Sequence, residues 1–389
     1  MKKIVALILC ITMIGTILVG CNNDNDESTD TPGVVETMPT DEQMLDNEID
    51  DAIKESDILS AFSAFQPDTL MLTIGTFEVE WAEMYFFLYS NYYMILYNFG
   101  GAFDWSEVLF DDTTIADYLI SSAIENVSSY KALEYGAILN GVSLKEEDME
   151  SLQNEFDMWA EMYGGEEEFL KVLWEEDGCY DRELFEYLIS ISLLANRVYS
   201  ELYGNGGEGI TDEEAAVLVE QDGYLMAKHI LITKNDEMDP EDKARTEAEN
   251  VLSQLESYTG DNFDDFFDEL MYMISEDTGG LMSYPEGYLF QYGDMVDEFY
   301  QAAISLDIGE LSEVVETYYG YHILYRLPIN FDITPYSFAM YEDYRTLREY
   351  AAAIHFDSVI LEWSASLPVE QSPEFESIDI TELFGSNVQ

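Results

Sequence analysis

Cations are scarce in this chain. Against 81 Asp and Glu stand only 15 Lys and Arg in 389 residues, a formal charge of -66 at pH 7. Nucleic-acid binding needs Lys and Arg to neutralise phosphates, so that class is excluded, and a polybasic membrane patch goes with it. Histidine is scarcer still: His229, His322 and His355 are the whole supply. A metallohydrolase needs His, Asp and Glu clustered at ligand spacing, and these histidines have no such partners in sequence, so neither a metal nor another cofactor is expected. Of the three cysteines, Cys10 and Cys21 sit near the start and only Cys179 lies in the folded part, which excludes an intramolecular disulfide. No Asp-x-Asp-x-Asp-Gly loop of the EF-hand kind accompanies the acidic surplus, which therefore reads as a solvated surface that favours solubility.

What is present begins with an export signal. Met1-Lys2-Lys3 is a short basic start, Ile4 to Gly20 is an uncharged run dominated by apolar residues, and Leu18-Val19-Gly20-Cys21 resembles the lipobox of bacterial lipoproteins. That resemblance implies cleavage after residue 20 and a diacylglyceryl group on the Cys21 thiol, whose two acyl chains suffice for stable anchoring. Losing Lys2 and Lys3 takes the charge from -66 to -68. Residues 21–65 read as an acidic, flexible tether. The remainder is no disordered chain: 47% of the sequence is hydrophobic, with 28 Tyr and 21 Phe.

Periodicity then divides the chain. Leu70 to Ile74 alternates like a strand, and Glu80–Tyr97 is an aromatic helix. Helical periods follow at Thr114–Leu139, Lys145–Met162, Glu166–Trp174 and Asp181–Tyr203, punctuated by Gly141, Gly164-Gly165 and Gly178. Ile115, Leu119, Ala123, Val127 and Tyr130 share one face, which reads as core between helices. Gly204 to Gly209 is a break, and Thr211-Asp212-Glu213-Glu214 is a capping pattern. From Tyr224 to Leu327 the order is strand, helix, helix, loop, helix, strand, strand. Pro328 ends it. A last helix spans roughly Tyr341 to Ser366, with Tyr344, Leu347, Ala351, Ile354 and Leu361 as its apolar stripe. The expected organisation is a signal over 1–20, the tether over 21–65, a helical part over 66–210, an α+β module over 222–328, a completing helix over 329–370 and an acidic tail over 371–389.

Two strand-like segments place a histidine before an apolar run: Lys228-His229-Ile230-Leu231-Ile232 and Gly320-Tyr321-His322-Ile323. Between them come Asn262-Phe263 with Phe266, then Ser275-Glu276-Asp277, then Gly293 to Phe299, then Gly309 to Thr317. In this order the segments resemble the parvulin-type peptidyl-prolyl isomerases over essentially the whole domain. The flanking helical segments resemble the extracellular lipoprotein foldases of the PrsA type, in which both ends of the chain build a helical chaperone domain around a parvulin insert.

The resemblance implies an α+β fold: a small antiparallel parvulin-like sheet with surrounding helices, inserted in a mainly α-helical chaperone-like domain. It implies His229 and His322 hydrogen-bonded through their rings on neighbouring strands, Thr317 joining them, and Asp277 facing the substrate amide; these are the catalytic and network positions. It implies a proline slot walled by Met295 and Phe299, on one face of a helix, and closed by Phe290. The family loop Gly-Gly-Asp-Leu-Gly-x-Phe is altered here: with Phe290 aligned, the usual Leu falls on Gly287. The implied activity is cis/trans isomerisation of Xaa-Pro bonds in unfolded or partly folded exported polypeptides, at the outer face of the cytoplasmic membrane through the anchor on Cys21. The other class is a non-catalytic holdase lipoprotein with a structural parvulin domain. Aromatic-rich helical faces would permit a homodimer. No Lys or Arg occurs between Arg245 and Arg326, so phosphopeptides, which need a basic cluster, are expected to be repelled.

Overall fold

The computed structural model describes residues 58–99, 103–234, 243–340 and 345–385. The expected signal, Cys21 and most of the tether lie outside the described residues, as does Tyr344.

In chain order, α1 (Ile58–Ala61) leads through a single 3-10 turn to the hairpin β1 (Leu70–Ile74) and β2 (Phe77–Glu80). Helix α2 (Trp81–Phe99), strands β3 (Val108–Phe110) and β4 (Thr113–Thr114), and helices α3 (Ile115–Asn140), α4 (Glu146–Tyr163), α5 (Glu166–Asp177) and α6 (Arg182–Tyr203) follow. Then come α7 (Asp212–Leu218), β5 (Leu225–Thr233), α8 (Lys243–Glu256), α9 (Phe263–Ile274), α10 (Thr278–Ser283), β6 (Tyr288–Phe290), α11 (Asp297–Ser305), β7 (Val315–Glu316) and β8 (Gly320–Leu327). The last elements are α12 (Tyr336–Met340), α13 (Leu347–Ser366), β9 (Val369–Gln371), α14 (Pro373–Glu376) and α15 (Ile380–Phe384).

The chain forms two compact units. One contains the described residues up to Leu202 and from Phe356 onward; the other contains those within Tyr203–His355. In the first, α2 is buried on nearly every side, with Trp81, Tyr85, Phe87 and Leu88 inaccessible. The expected stripe of α3 is likewise buried from Ile115 to Tyr130, and Thr114 and Asp117 close a reciprocal capping box at its start. Phe356 meets Tyr199 edge-on at 5.7 Å. Trp363 lies so close to Gly136 that a Cβ there would sit 2.0 Å from its ring. A buried charge cluster ties three helices together: Lys131 Nζ lies 2.9 and 3.0 Å from the Glu83 oxygens and donates to the Tyr187 hydroxyl at 2.8 Å.

Three expectations change. The tether does not run to residue 65, because the Phe62 ring packs 4.7 to 5.1 Å from Tyr180, Trp174 and Tyr85. The described part of the acidic tail is folded: β9 pairs with β1, and Phe375, Ile380 and Phe384 are buried. The stripe of α13 is Leu347, Ala351, Ala352, Phe356 and Ile360, whereas Leu361 is 57% exposed.

The second unit is built on a four-stranded antiparallel sheet of order β6-β5-β8-β7. Side chains alternate across it. Ile230, Ile232, Tyr321, Ile323 and Tyr325 face a core shared with α8 and α9. Leu225, Ala227 and Leu324 face a second core with Phe290, Phe299 and Ala303. Register pairs Leu231 with His322 and His229 with Leu324, so the two histidines are diagonal neighbours on the second face. Thr211 caps α7 through the expected box with Glu214.

Candidate active site

Strands β5 and β8 carry the two imidazoles. Both are nearly buried, His229 at 8% and His322 at 4% exposure. Their Nδ1 atoms lie 3.0 Å apart, and the ring planes differ by only 15°, so the hydrogen bond runs edge to edge. His229 Nε2 lies 2.8 Å from Asp277 Oδ2, and His322 Nε2 lies 2.8 Å from Thr317 Oγ1.

Local chemistry sets each partner. The segment before α10 is tied to β5. Ser275 Oγ accepts from the Leu231 N–H, Glu276 N–H donates to the Leu231 carbonyl, and the Glu276 carboxylate accepts from Thr233 N–H and Oγ1–H. Asp277 then caps α10 by accepting from Gly280 N–H at 3.0 Å. Thr317 opens the β7–β8 turn, whose backbone closes by Thr317 N–H to the Gly320 carbonyl and the reverse bond. Gly320 has φ +149, and a Cβ there would meet the Ile232 carbonyl oxygen at 2.2 Å, so the turn beside the site depends on glycine.

Asp277 sets the direction of the first of these bonds. An ionised carboxylate only accepts, so His229 donates from Nε2. The facing Nδ1 atoms of the two rings share one hydrogen bond, and His322 Nε2 pairs with the Thr317 hydroxyl. Thr317 Oγ1 in turn accepts from Tyr319 N–H at 3.1 Å. The electrostatics agree. Hydrogen bonding from His229, with help from Gly280 and Tyr288, holds the Asp277 carboxyl well below the usual range against the opposing effect of burial. Burial, followed by the neighbouring His229, pushes His322 down to about 3. His322 is therefore a neutral imidazole at pH 7.

The sequence reading sets Asp277 against the substrate amide. Its carboxylate is instead engaged by His229, Gly280 and the Tyr288 hydroxyl, which donates to Oδ2 at 2.7 Å. Tyr288 was not anticipated. It lies in the altered loop, at the position beside Gly287, and that departure was the one signal pointing to it.

The expected slot residues divide. Phe299 meets both imidazoles edge-on, at 5.2 and 5.5 Å between ring centres, but is only 3% exposed. Phe290 lies in β6, wholly buried against Phe299 at 5.6 Å, so it backs the site from within the core. Met295 is half-buried but precedes α11, whose first residue is Asp297. The reading that put Met295 and Phe299 on one helical face is therefore corrected. A shallow depression with enclosed room for about one water opens beside His229 and Asp277, and none of Phe290, Met295 or Phe299 lines it. Cys179, with an accessibility of 0%, belongs to the first unit, and burial raises its thiol pKa. Among the described residues no group of His, Cys, Asp and Glu is placed to hold a metal ion, and no helix is long and apolar enough to cross a membrane.

Residues 218–325 match the PPIC-type PPIASE domain. Foldase protein PrsA of Halalkalibacterium halodurans is 31% identical over 188 residues, 47% of this chain and 45% of that protein. Foldase protein PrsA of Oceanobacillus iheyensis is 28% identical over 176 residues, 45% of this chain and 51% of the relative. The chain thus spans about half the length of the curated relatives it matches. A crystal structure of PrsA from Bacillus cereus aligns over 73% of this chain and 99% of its own at 17% identity, with a TM-score of 0.28, too slight a likeness to build on.

Proposed function

We propose that this chain, which carries a parvulin-type isomerase domain over residues 218–325 and resembles the PrsA foldases, catalyses cis/trans isomerisation of Xaa-Pro bonds in unfolded or partly folded exported polypeptides. The observation that carries the proposal is the continuous chain Thr317–His322–His229–Asp277 on one sheet face, with Phe299 across both imidazoles. Its setting is the outer face of the cytoplasmic membrane, held there through a lipid on Cys21. The residues before Tyr203 and after His355 serve as the helical chaperone part. A homodimer is compatible with the aromatic-rich helical faces.

The chemistry asked of such a site is modest. Rotation about an Xaa-Pro bond breaks no covalent bond but crosses a barrier of ~18–20 kcal/mol, because conjugation is lost in the twisted amide. A catalyst need only bind that twisted state better than either planar form. Nearly buried imidazoles held by hydrogen bonds at both ring nitrogens provide preorganised dipoles without reorganisation. Phe299, packed edge-on against both imidazoles, keeps the inner side of the site dry. His229 and His322 orient the site and take no covalent role; Asp277 orients the His229 ring.

A holdase without turnover is the competing reading, favoured by Gly287 at the usual Leu position and by the complete burial of Phe290. A proline-limited refolding assay separates the two. The expected result is acceleration by the wild type and none by a His229→Ala, Asp277→Ala double variant. Equal suppression of aggregation by both proteins, with no gain in rate from either, would establish the holdase.

A further inference from the structure

Strand β6 lies at the edge of its sheet, paired only with β5. It carries Tyr288, whose phenol donates to Asp277 Oδ2 at 2.7 Å, the same oxygen that lies 2.8 Å from His229 Nε2. The backbone arrives from Gly287, whose φ is +106; a Cβ there would lie 2.9 Å from the Ala227 carbonyl oxygen. That close approach sets where the Tyr288 side chain starts. Where its hydroxyl ends depends on the side-chain rotamer.

Two other rings restrict that rotamer. Tyr284 lies 4.6 Å from Tyr288 at 31°, and Tyr336 meets both rings, at 5.5 and 5.7 Å, within the range of attractive aromatic pairs. Tyr284 belongs to the altered loop. Tyr336 does not: it opens α12, beyond residue 325, where the match to the isomerase domain ends. All three rings are half-buried.

The segment that brings Tyr336 there is itself held. The Phe331 carbonyl accepts from Arg348 N–H at 2.8 Å, and the Ile333 carbonyl accepts from Leu347 N–H at 3.0 Å. The Arg348 guanidinium donates to Asp332 at 2.5 Å, to Asp212 at 2.6 Å and to the Ile210 carbonyl at 2.8 Å. Asn330 donates to the carboxylate of Glu286, in the loop before β6, at 3.3 Å. Residues 330–336 thus run from the start of α13 to the Tyr288 ring, tied at several points, all within the second unit.

We infer that Tyr336 is a positioning residue of the isomerase site: its ring holds Tyr288, the Tyr288 hydroxyl holds the Asp277 carboxylate, and Asp277 orients His229. The catalytic machinery therefore extends past the isomerase domain into the segment that follows it. This role rests on the isomerase reading and adds to it a support outside the matched domain. A Tyr336 that only filled space would stabilise α12 and leave the imidazoles unchanged.

Variants of the full chain test this by kinetics on a Xaa-Pro peptide and by the ring-nitrogen NMR signal of His229 Nε2. Tyr288→Phe keeps the ring and loses the donor, and should lower kcat/KM about tenfold, the scale of one hydrogen bond to a charged group. Tyr336→Ala should lower it about threefold to tenfold, the scale of one or two aromatic contacts. Tyr336→Phe retains the ring and should restore the wild-type value. Added to Tyr288→Phe, Tyr336→Ala should cost less than about twofold more, because the two act in series. The Nε2 signal should move in Tyr288→Phe and, in the same direction but less, in Tyr336→Ala, and should stay in place in Tyr336→Phe. Where Tyr336→Ala fails to fold, Tyr336→Leu replaces it, keeping much of the volume without the ring contacts. Wild-type kinetics with an unmoved signal in Tyr336→Ala overturn the role, as does a Tyr336→Ala loss that persists in full in the Tyr288→Phe background. Absence of turnover by the wild type defeats the isomerase reading instead, and the Nε2 signal then decides: the ordered displacement supports the chain of contacts from Tyr336 to His229, and an unmoved signal overturns it.

Discussion

At the scale of single residues, Asp277 dictates the order of the site, because it is the one member of the relay that can only accept. Asp277→Asn offers His229 a donor and an acceptor and weakens the bond that orients its ring. A hydrogen bond to a charged group is worth about 1.5–3 kcal/mol, so a fall of about 10-fold to 100-fold is expected in kcat/KM on a Xaa-Pro peptide. Unchanged kinetics would show the carboxylate to be dispensable.

Titration gives a second expectation with a definite sign. The folded pKa of His322 is lowered from 6.5 to about 3, so below pH 6.5 the unfolded chain takes up a proton that the native state refuses. The stability associated with neutral His322 is present above 6.5 and lost as pH falls from there toward 3. Asp277 is also depressed, and its contribution, present above the ordinary carboxylate pKa, is lost as pH falls through its folded value. Asp177 has the opposite sense. It is buried, its Oδ2 has no partner, and burial raises it to about 8. Its contribution is present below 3.8 and lost as pH rises toward 8. Asp177→Asn should therefore raise Tm relative to the wild type at pH 7.5 and leave it nearly equal at pH 4. A pH-independent difference would contradict this.

At the scale of elements, the buried cluster joining α2, α3 and α6 sets what one cut costs. Lys131→Met leaves Glu83 buried without its cation, which is expected to destabilise the unit by about 3–5 kcal/mol. The double change Glu83→Leu, Lys131→Met should recover much of that in urea unfolding. Equal stability of the single variant and the wild type would show the pair to be solvated.

Legibility also sorts by element. Long periodic helices were readable because a buried stripe repeats along them: α3 differs by a single residue at each end from the span its periodicity predicts. The histidine pair was readable because strand alternation and the order of family segments put both rings on one face. Short elements were not. Strand β6 is three residues in a turn-rich loop and has no period to detect, so Phe290 read as a loop residue and not as core. Strand β9 acquires its meaning only by pairing with β1, far away in the chain, and its residues look like acidic tail. Met295 was misplaced because its spacing to Phe299 suits a helix that in fact starts two residues later. Tyr288 was missed because its role depends on the positive φ of Gly287 and on an oxygen of Asp277, neither of which sequence pattern displays.

At the scale of the whole molecule, charge governs encounter more than fold. With 81 acidic against 15 basic residues, the field favours cationic chains and repels anionic ones. Raising ionic strength to 0.15 M, where the Debye length is about 8 Å, should lower kcat/KM for Lys-rich Xaa-Pro peptides and raise it for Glu-rich ones. A salt response of the same sign for both would contradict a role for the field. Phosphorylation of the residue before proline should lower kcat/KM through the same repulsion.

The account stands on rotation of a prolyl amide beside two hydrogen-bonded imidazoles. The most direct measurement is exchange NMR on a Xaa-Pro peptide with a substoichiometric amount of the full chain. Cis–trans exchange cross-peaks are predicted with the wild type and should vanish with His229→Ala, His322→Ala. Exchange no faster with the wild type than in its absence would contradict the account.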